Sequence, residues 1–233
     1  MKFFVLKALM FFDFFYKRKI LLVLKKLLDK EVKVIFDVGG HNGESILFFN
    51  RNFNFFKIYT FEPLKNNFLK LKMNTKKIQE KIVYFNCALG GKKENQIIKE
   101  MIETSSSTLN DINETSNYFK KKKFFLGVKD KKKMYVEKKV SIDKGTNIIR
   151  EFKIDKIDLL KIDTEGYELN VIKGFESNIG IVKVIIFEHH YDLMIRKNYT
   201  YSDINSYLLK YGFNLKYKFK MPFRKTFEYI YAK

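Results

Sequence analysis

The residues able to do chemistry gather where short apolar runs stop. Val32-Lys33-Val34-Ile35-Phe36 leads into Asp37-Val38-Gly39-Gly40-His41-Asn42-Gly43. Glycines at the carboxyl end of a strand let the backbone turn tightly and approach a ligand. Val38 breaks a G-x-G-x-x-G pattern, which argues against a dinucleotide site, and no Gly-Lys-Ser/Thr follows, which argues against a P-loop. An acidic residue ahead of the glycines suits a cationic ligand: Asp37 would repel a phosphate and attract the amino group or sulfonium of S-adenosylmethionine. Glu62 ends the next apolar run, 25 residues beyond Asp37. An acid about 20 residues on holds ribose hydroxyls in nucleoside-binding folds, through charge-assisted hydrogen bonds. The competing reading is that Glu62 only caps the turn before Pro63.

Such residues need strand ends to carry them. Apolar, β-branched runs predict strands over 32–38, 57–62, 82–86, 157–163 and 181–187. Helices are expected from Gly43, with Glu44 favouring the dipole, and over 66–77, 167–173 and 201–210. Residues 213–219 and 226–232 alternate and read as a closing antiparallel pair. The expected fold is α/β: a doubly wound, mostly parallel Rossmann-like sheet with that pair at its end. Residues 92–144 break the pattern. They carry serines 105–107 and lysine runs 120–123 and 131–133, with short extended pieces at 134–136 and 139–142. They read as an insertion too poor in apolar residues for a core of its own.

With 233 residues, 46% hydrophobic, the chain suits one α/β domain and not general disorder. Its 46 basic against 26 acidic residues leave a net charge of +20, which attracts polyanions. Lysine is nevertheless spread along the whole chain. Richness in Lys, Asn, Ile, Phe and Tyr without Trp is also what an AT-rich coding sequence yields. Cys87 is the single cysteine, so no disulfide within the chain and no cysteine zinc cluster are expected. Residues 1–28 hold no apolar run of the ~18–20 residues a transmembrane helix needs, and no small-residue cleavage site follows. They read either as a pair of helices packed ahead of the first strand, or as an interfacial segment resting on anionic lipid.

Several segments, in order over about 34–213, resemble the FkbM family of S-adenosylmethionine-dependent methyltransferases. DVGGHNGES is similar to the family's first motif and TFEPLKNNFLKLKMN to its second; NCALG follows the third strand. SSSTL resembles the serine-rich part of the family's insertion, and KVSID the edge after it. IDLLKIDTEGYELNVIKGF is the most specific match, and VIIFEHH and LLKYGF complete the order. His41 departs from the pattern, where the family tends to have a small or neutral residue.

The chain thus divides into an N-terminal helical segment, 1–30, and, as the resemblance implies, a methyltransferase domain, 31–233, with the insertion at about 92–144. The resemblance implies S-adenosylmethionine as cofactor, held by Asp37, Gly39, Gly40, Gly43 and Glu62, with Asn86, Cys87 and Ala88 near the adenine. Cys87 reads as a small buried residue, not a nucleophile. Methyl transfer would go to an oxygen of a sugar or natural product, so the acceptor is a small molecule or glycan. The expected catalytic residues are Asp163, Glu165 and His189. Asp163 would orient the acceptor hydroxyl or act as base, with Glu165 in support. Both could instead order the KIDTEG turn, or hold a divalent cation, although no metal site is assigned. Glu188, His189 and His190 end the fifth strand on the ligand side, where a histidine suits a general base.

Rival readings are a nucleic-acid methyltransferase whose lysine runs contact phosphates, a nucleoside-binding module without turnover, and a membrane-surface enzyme acting on a lipid-linked sugar. Aromatics do not interleave with the lysine runs, and no base-flipping signature occurs, so nucleic acid is not the expected partner. The expected location is cytoplasmic, at the inner face of the membrane if residues 1–30 rest on lipid. The acceptor pocket is expected to be built from 92–144.

Overall fold

A computed structural model describes the backbone over residues 2–233 and the side chains from Phe15 onward. The chain opens with α1 (Lys2–Leu27), one continuous helix where a pair was expected. No proline or glycine interrupts those residues, so nothing forces a break. Tyr16, Ile20, Val23 and Leu24 are buried while Lys17, Arg18, Lys19, Lys25 and Lys26 are exposed. Among the described residues no helix is long and apolar enough to cross a membrane.

The core strands follow as β1 (Glu31–Val38), β2 (Asn54–Phe61) and β3 (Ile82–Phe85), with α2 (Glu44–Asn52) and α3 (Lys65–Asn74) between them. β4 (Ala88–Leu89) precedes the insertion, which supplies β5 (Glu94–Met101), β6 (Asp111–Ile112), α4 (Asn117–Phe125) and β7 (Tyr135–Asp143). The chain then runs through α5 (Gly145–Phe152), β8 (Ile157–Ile162), α6 (Glu168–Lys173), β9 (Val182–His190) and β10 (Ile195–Arg196). It closes with α7 (Tyr201–Lys210), β11 (Asn214–Lys220) and β12 (Thr226–Ala232).

The main sheet has seven strands in the order β11-β12-β9-β8-β1-β2-β3. β3, β2, β1, β8 and β9 are parallel, and β12 lies antiparallel between β9 and β11. Successive side chains point to opposite faces, which explains the unbroken apolar runs. Phe36, Leu160 and Ile185 pack with α5, α6 and α7, whereas Ile35, Leu159 and Val184 pack with α1, α2 and α3. Both faces are therefore covered, as a doubly wound sheet requires.

The insertion is better ordered than its composition suggests. β5 and β7 form one long antiparallel pair, from Glu94 opposite Ile142 to Met101 opposite Tyr135. Met101, Ile112, Phe119 and Met134 make a small core together with Met194 and Ile195, which lie outside the insertion. The insertion, expected to lack a core of its own, completes this one with two residues borrowed from outside it.

Candidate functional site

β1 has β2 on one side and β8 on the other, so the chain order reverses at its carboxyl end, where open α/β sheets bind ligands. Two clefts open there, and Gly39, His41, Ser105 and Asp163 line both.

The glycines answer first to protein neighbours. Gly39 has φ +86°, and a Cβ there would lie 1.9 Å from the Asp163 carbonyl oxygen. The N–H groups of Gly39 and Gly40 both donate to the Phe61 carbonyl at 3.0 Å. Gly43, at φ +91°, turns the chain into α2. The tight loop is thus dictated by the meeting of three strand ends. Asp37 is fully buried behind it and lines neither cleft. Its Oδ2 accepts the Ser45 hydroxyl at 2.7 Å and the Thr60 hydroxyl at 3.4 Å, and its Oδ1 lies 3.5 Å from Lys161 Nζ. Burial pushes the Asp37 carboxyl up, against the Lys161 ammonium and the Ser45 hydrogen bond. The carboxyl expected to meet a cationic ligand thus sits behind the loop, outside both clefts.

Glu62 does line the first cleft. Its Oε2 accepts the His41 N–H and its Oε1 the Leu64 N–H, both at 2.9 Å. The turn-capping role and an open role coexist, because each carboxylate oxygen has a second lone pair. Burial pushes this carboxyl up to about 7, against the pull of those two N–H groups. Asn86 ties down the same turn, donating to the carbonyls of Glu62 at 2.8 Å and Pro63 at 3.1 Å. Of the three residues expected near the adenine, only Ala88 lines the cleft; burial pushes the Cys87 thiol up to about 12. Asn67 had not been singled out. It is buried on α3, its Oδ1 has no partner, and it lines the cleft beside Glu62. A polar residue sharing the buried face of α3 with Leu71 is the signal that could have found it.

The insertion roofs this cleft. His41 Nε2 lies 2.9 Å from the Thr104 hydroxyl, while Nδ1 lies 3.3 Å from Glu44. Lys122 holds the serine-rich turn through Glu103 and Ser106, both at 2.5 Å.

Asp163 and Glu165 follow β8. Asp163 Oδ2 is 3.3 Å from Lys161 Nζ. The turn itself is ordered by Glu168, which accepts the Gly166 N–H at 2.8 Å and the Tyr199 hydroxyl at 2.5 Å. Glu165, at φ +49°, is left facing the first cleft. Burial pushes its carboxyl up to about 7, although His190 pulls it down.

The two histidines divide as strand alternation dictates. His189 is 3% exposed, packs its ring 4.8 Å from that of Tyr191, and lines neither cleft. Burial and Lys197 push it down to about 3. His189, an expected catalytic residue, is thus placed outside both clefts. His190 points the other way, with Nε2 3.3 Å from Glu165 Oε2 and 3.8 Å from Glu188 Oε2. Burial alone would lower it, but Glu165, Asp192 and Glu188 together raise it to about 10. Among the described residues no three His, Cys, Asp or Glu side chains are arranged to hold a metal.

The sequence profile of the methyltransferase FkbM domain matches residues 37–215. The chain belongs to the FkbM methyltransferase family. No curated protein matches it. Among solved structures, the FkbM methyltransferase of Methylobacillus flagellatus KT is similar at a TM-score of 0.53 and 16% identity, covering 89% of this chain and 46% of that one. This chain thus spans under half of that relative. TrmK of M. capricolum, solved with S-adenosyl-homocysteine, gives 0.51 at 9% identity, covering 91% and 67%. An rRNA methylase of Streptococcus thermophilus gives 0.51 at 10% identity, covering 94% and 96%. At such identities these likenesses speak to the fold, which all three share with this chain.

The second cleft lies partly outside the residues matched to the FkbM domain. α1 and α2 wall it with Tyr16, Ile20, Leu24, Phe48 and Phe49, and Lys161, Glu188 and Glu228 lie at its base. The insertion, expected to build the acceptor pocket, contributes Ser105 to it.

Proposed function

We propose that the protein is an S-adenosylmethionine-dependent methyltransferase that methylates a hydroxyl oxygen of a sugar or natural product. The observation that carries this reading is the first cleft, which Glu62, Asp163 and Glu165 line together. The cleft fits the cofactor in its donor set: the nearly buried carboxylate of Glu62 keeps free lone pairs, and the unpartnered Oδ1 of Asn67 is a further acceptor for hydroxyl donors. Ala88 and Leu89 supply an apolar wall for the base.

Bound there, the cofactor supplies an electrophilic methyl group on sulfur. Glu62 and Asn67 hold the ribose hydroxyls, and Gly39 leaves room for the chain beyond. Asp163, common to both clefts, orients the acceptor hydroxyl. Glu165 takes the hydroxyl proton, since a carboxyl held near 7 is matched to proton transfer at neutral pH. His190 positions Glu165 and stabilises its ionised form by charge.

Calorimetric titration with S-adenosylmethionine tests the reading. Wild type should bind, and Glu62→Gln should bind about 10- to 100-fold more weakly, the range for losing a charge-assisted hydrogen bond.

A further inference from the structure

We infer that the second cleft is the acceptor site, and that it takes a polyhydroxylated molecule carrying a phosphate group. This rests on the methyltransferase reading, because the two clefts meet at Gly39, His41 and Asp163. A hydroxyl entering from the second cleft reaches Asp163 from the side opposite Glu62.

The base of the cleft is built for hydroxyl donors. Glu188 and Glu228 stand directly opposite one another across β9 and β12. Two carboxylates so placed repel unless a proton or hydrogen-bond donors come between them. Tyr16, reaching in from α1, donates its hydroxyl to Glu228 Oε2 at 2.8 Å. Glu188 also lines the cleft; among the described residues its partner is His190, Nε2 3.8 Å from its Oε2, and no hydroxyl, so vicinal hydroxyls of an acceptor would add the donors that Glu228 has from Tyr16. Lys161 is the ammonium beneath, shared with Asp37 and Asp163. The walls suit the C–H faces of a sugar ring, with Phe48 and Phe49 on one side and Ile20 on the other. At the exposed rim two cations, Lys17 from α1 and Arg224 from the turn between β11 and β12, outnumber the one carboxylate, Glu44 from α2. Donor-hungry carboxylates below and two cations above match hydroxyls and a phosphate on one small molecule.

The test is saturation-transfer NMR with glucose 1-phosphate, glucose 6-phosphate, glucose and inorganic phosphate, on full-length protein saturated with S-adenosyl-homocysteine. A hexose phosphate should bind about tenfold or more tightly than either glucose or phosphate alone. Lys17→Ala/Arg224→Ala should reduce it to the level of glucose, and the near-isosteric Glu188→Gln to that of phosphate. S-adenosyl-homocysteine affinity should stay unchanged in both, which shows that the variants are folded. Hexose phosphates binding no better than phosphate, insensitivity to both variants, or displacement by a short oligoribonucleotide at lower concentration would each overturn the proposal. Failure of S-adenosyl-homocysteine to bind wild type would instead strike the methyltransferase reading itself.

Discussion

The Glu62 carboxylate already accepts the N–H groups of His41 and Leu64, and burial still holds it up to about 7. Ribose hydroxyls prefer its ionised form. Below pH 7 the free protein keeps the proton and must release it on binding, so cofactor affinity should rise by about tenfold between pH 6 and pH 8 and level off above that. The same raised carboxyl contributes stability below its ordinary value near 4.5 that is lost as pH rises through about 7. Titrations in buffers of different ionisation enthalpy check the binding prediction through proton release at pH 6; a flat affinity profile would contradict it. The adjacent histidines give a second test. His190→Gln should lower the methyl-transfer rate constant by about 10- to 100-fold with little change in cofactor affinity. His189→Gln should lower stability by about 1–3 kcal/mol and leave the rate nearly intact, and the reverse pattern would refute the assignment. Sequence made the acidic residues legible as strand-end carboxylates. Which histidine reaches Glu165 depends on a strand's phase, and spacing does not reveal the phase when both neighbours are histidine.

Elements explain why the glycine loop looks as it does. A Cβ on Gly39 would meet a backbone carbonyl at 1.9 Å, whereas one on Gly43 would meet only the Thr75 methyl, at 2.9 Å. Gly39→Ala should therefore destabilise by about 3–5 kcal/mol and Gly43→Ala by about 1–2 kcal/mol, measured by urea unfolding. Equal losses would show that backbone conformation alone, not the crossing of β1 and the β8 turn, sets the requirement. Strands β1, β2, β8 and β9 were legible because burial on both faces leaves continuous apolar runs. Helix α5 was not, although Ile148 and Ile149 bury a clear face. It begins at a glycine after a lysine that offers no capping side chain. β6 and β10 are two-residue pieces that pair only with each other, and no local pattern marks them.

At the scale of the whole molecule, the net charge of +20 is what remains after every acidic residue is counted, and the ion pairs show where individual lysines are held. Lys122 is committed to Glu103, Lys131 to Glu114, Lys138 to Glu100 and Lys99 to Asp111. The insertion thus uses several of its lysines to hold itself together over the first cleft. α1 belongs to the same assembly: its buried face closes one side of the sheet, and Tyr16 reaches the base of the second cleft. The family, the sheet and the strand-end acids could be read from sequence. The second cleft could not, because its walls come from segments nearly the whole chain apart.

The measurement that bears most directly on this account is calorimetric binding of S-adenosylmethionine to wild type and Glu62→Gln, with thermal unfolding of each as a control for folding. The account predicts micromolar binding by wild type and an affinity about 10- to 100-fold lower for the variant, at similar unfolding temperatures. No binding by folded wild type, or equal binding by both proteins, would contradict it.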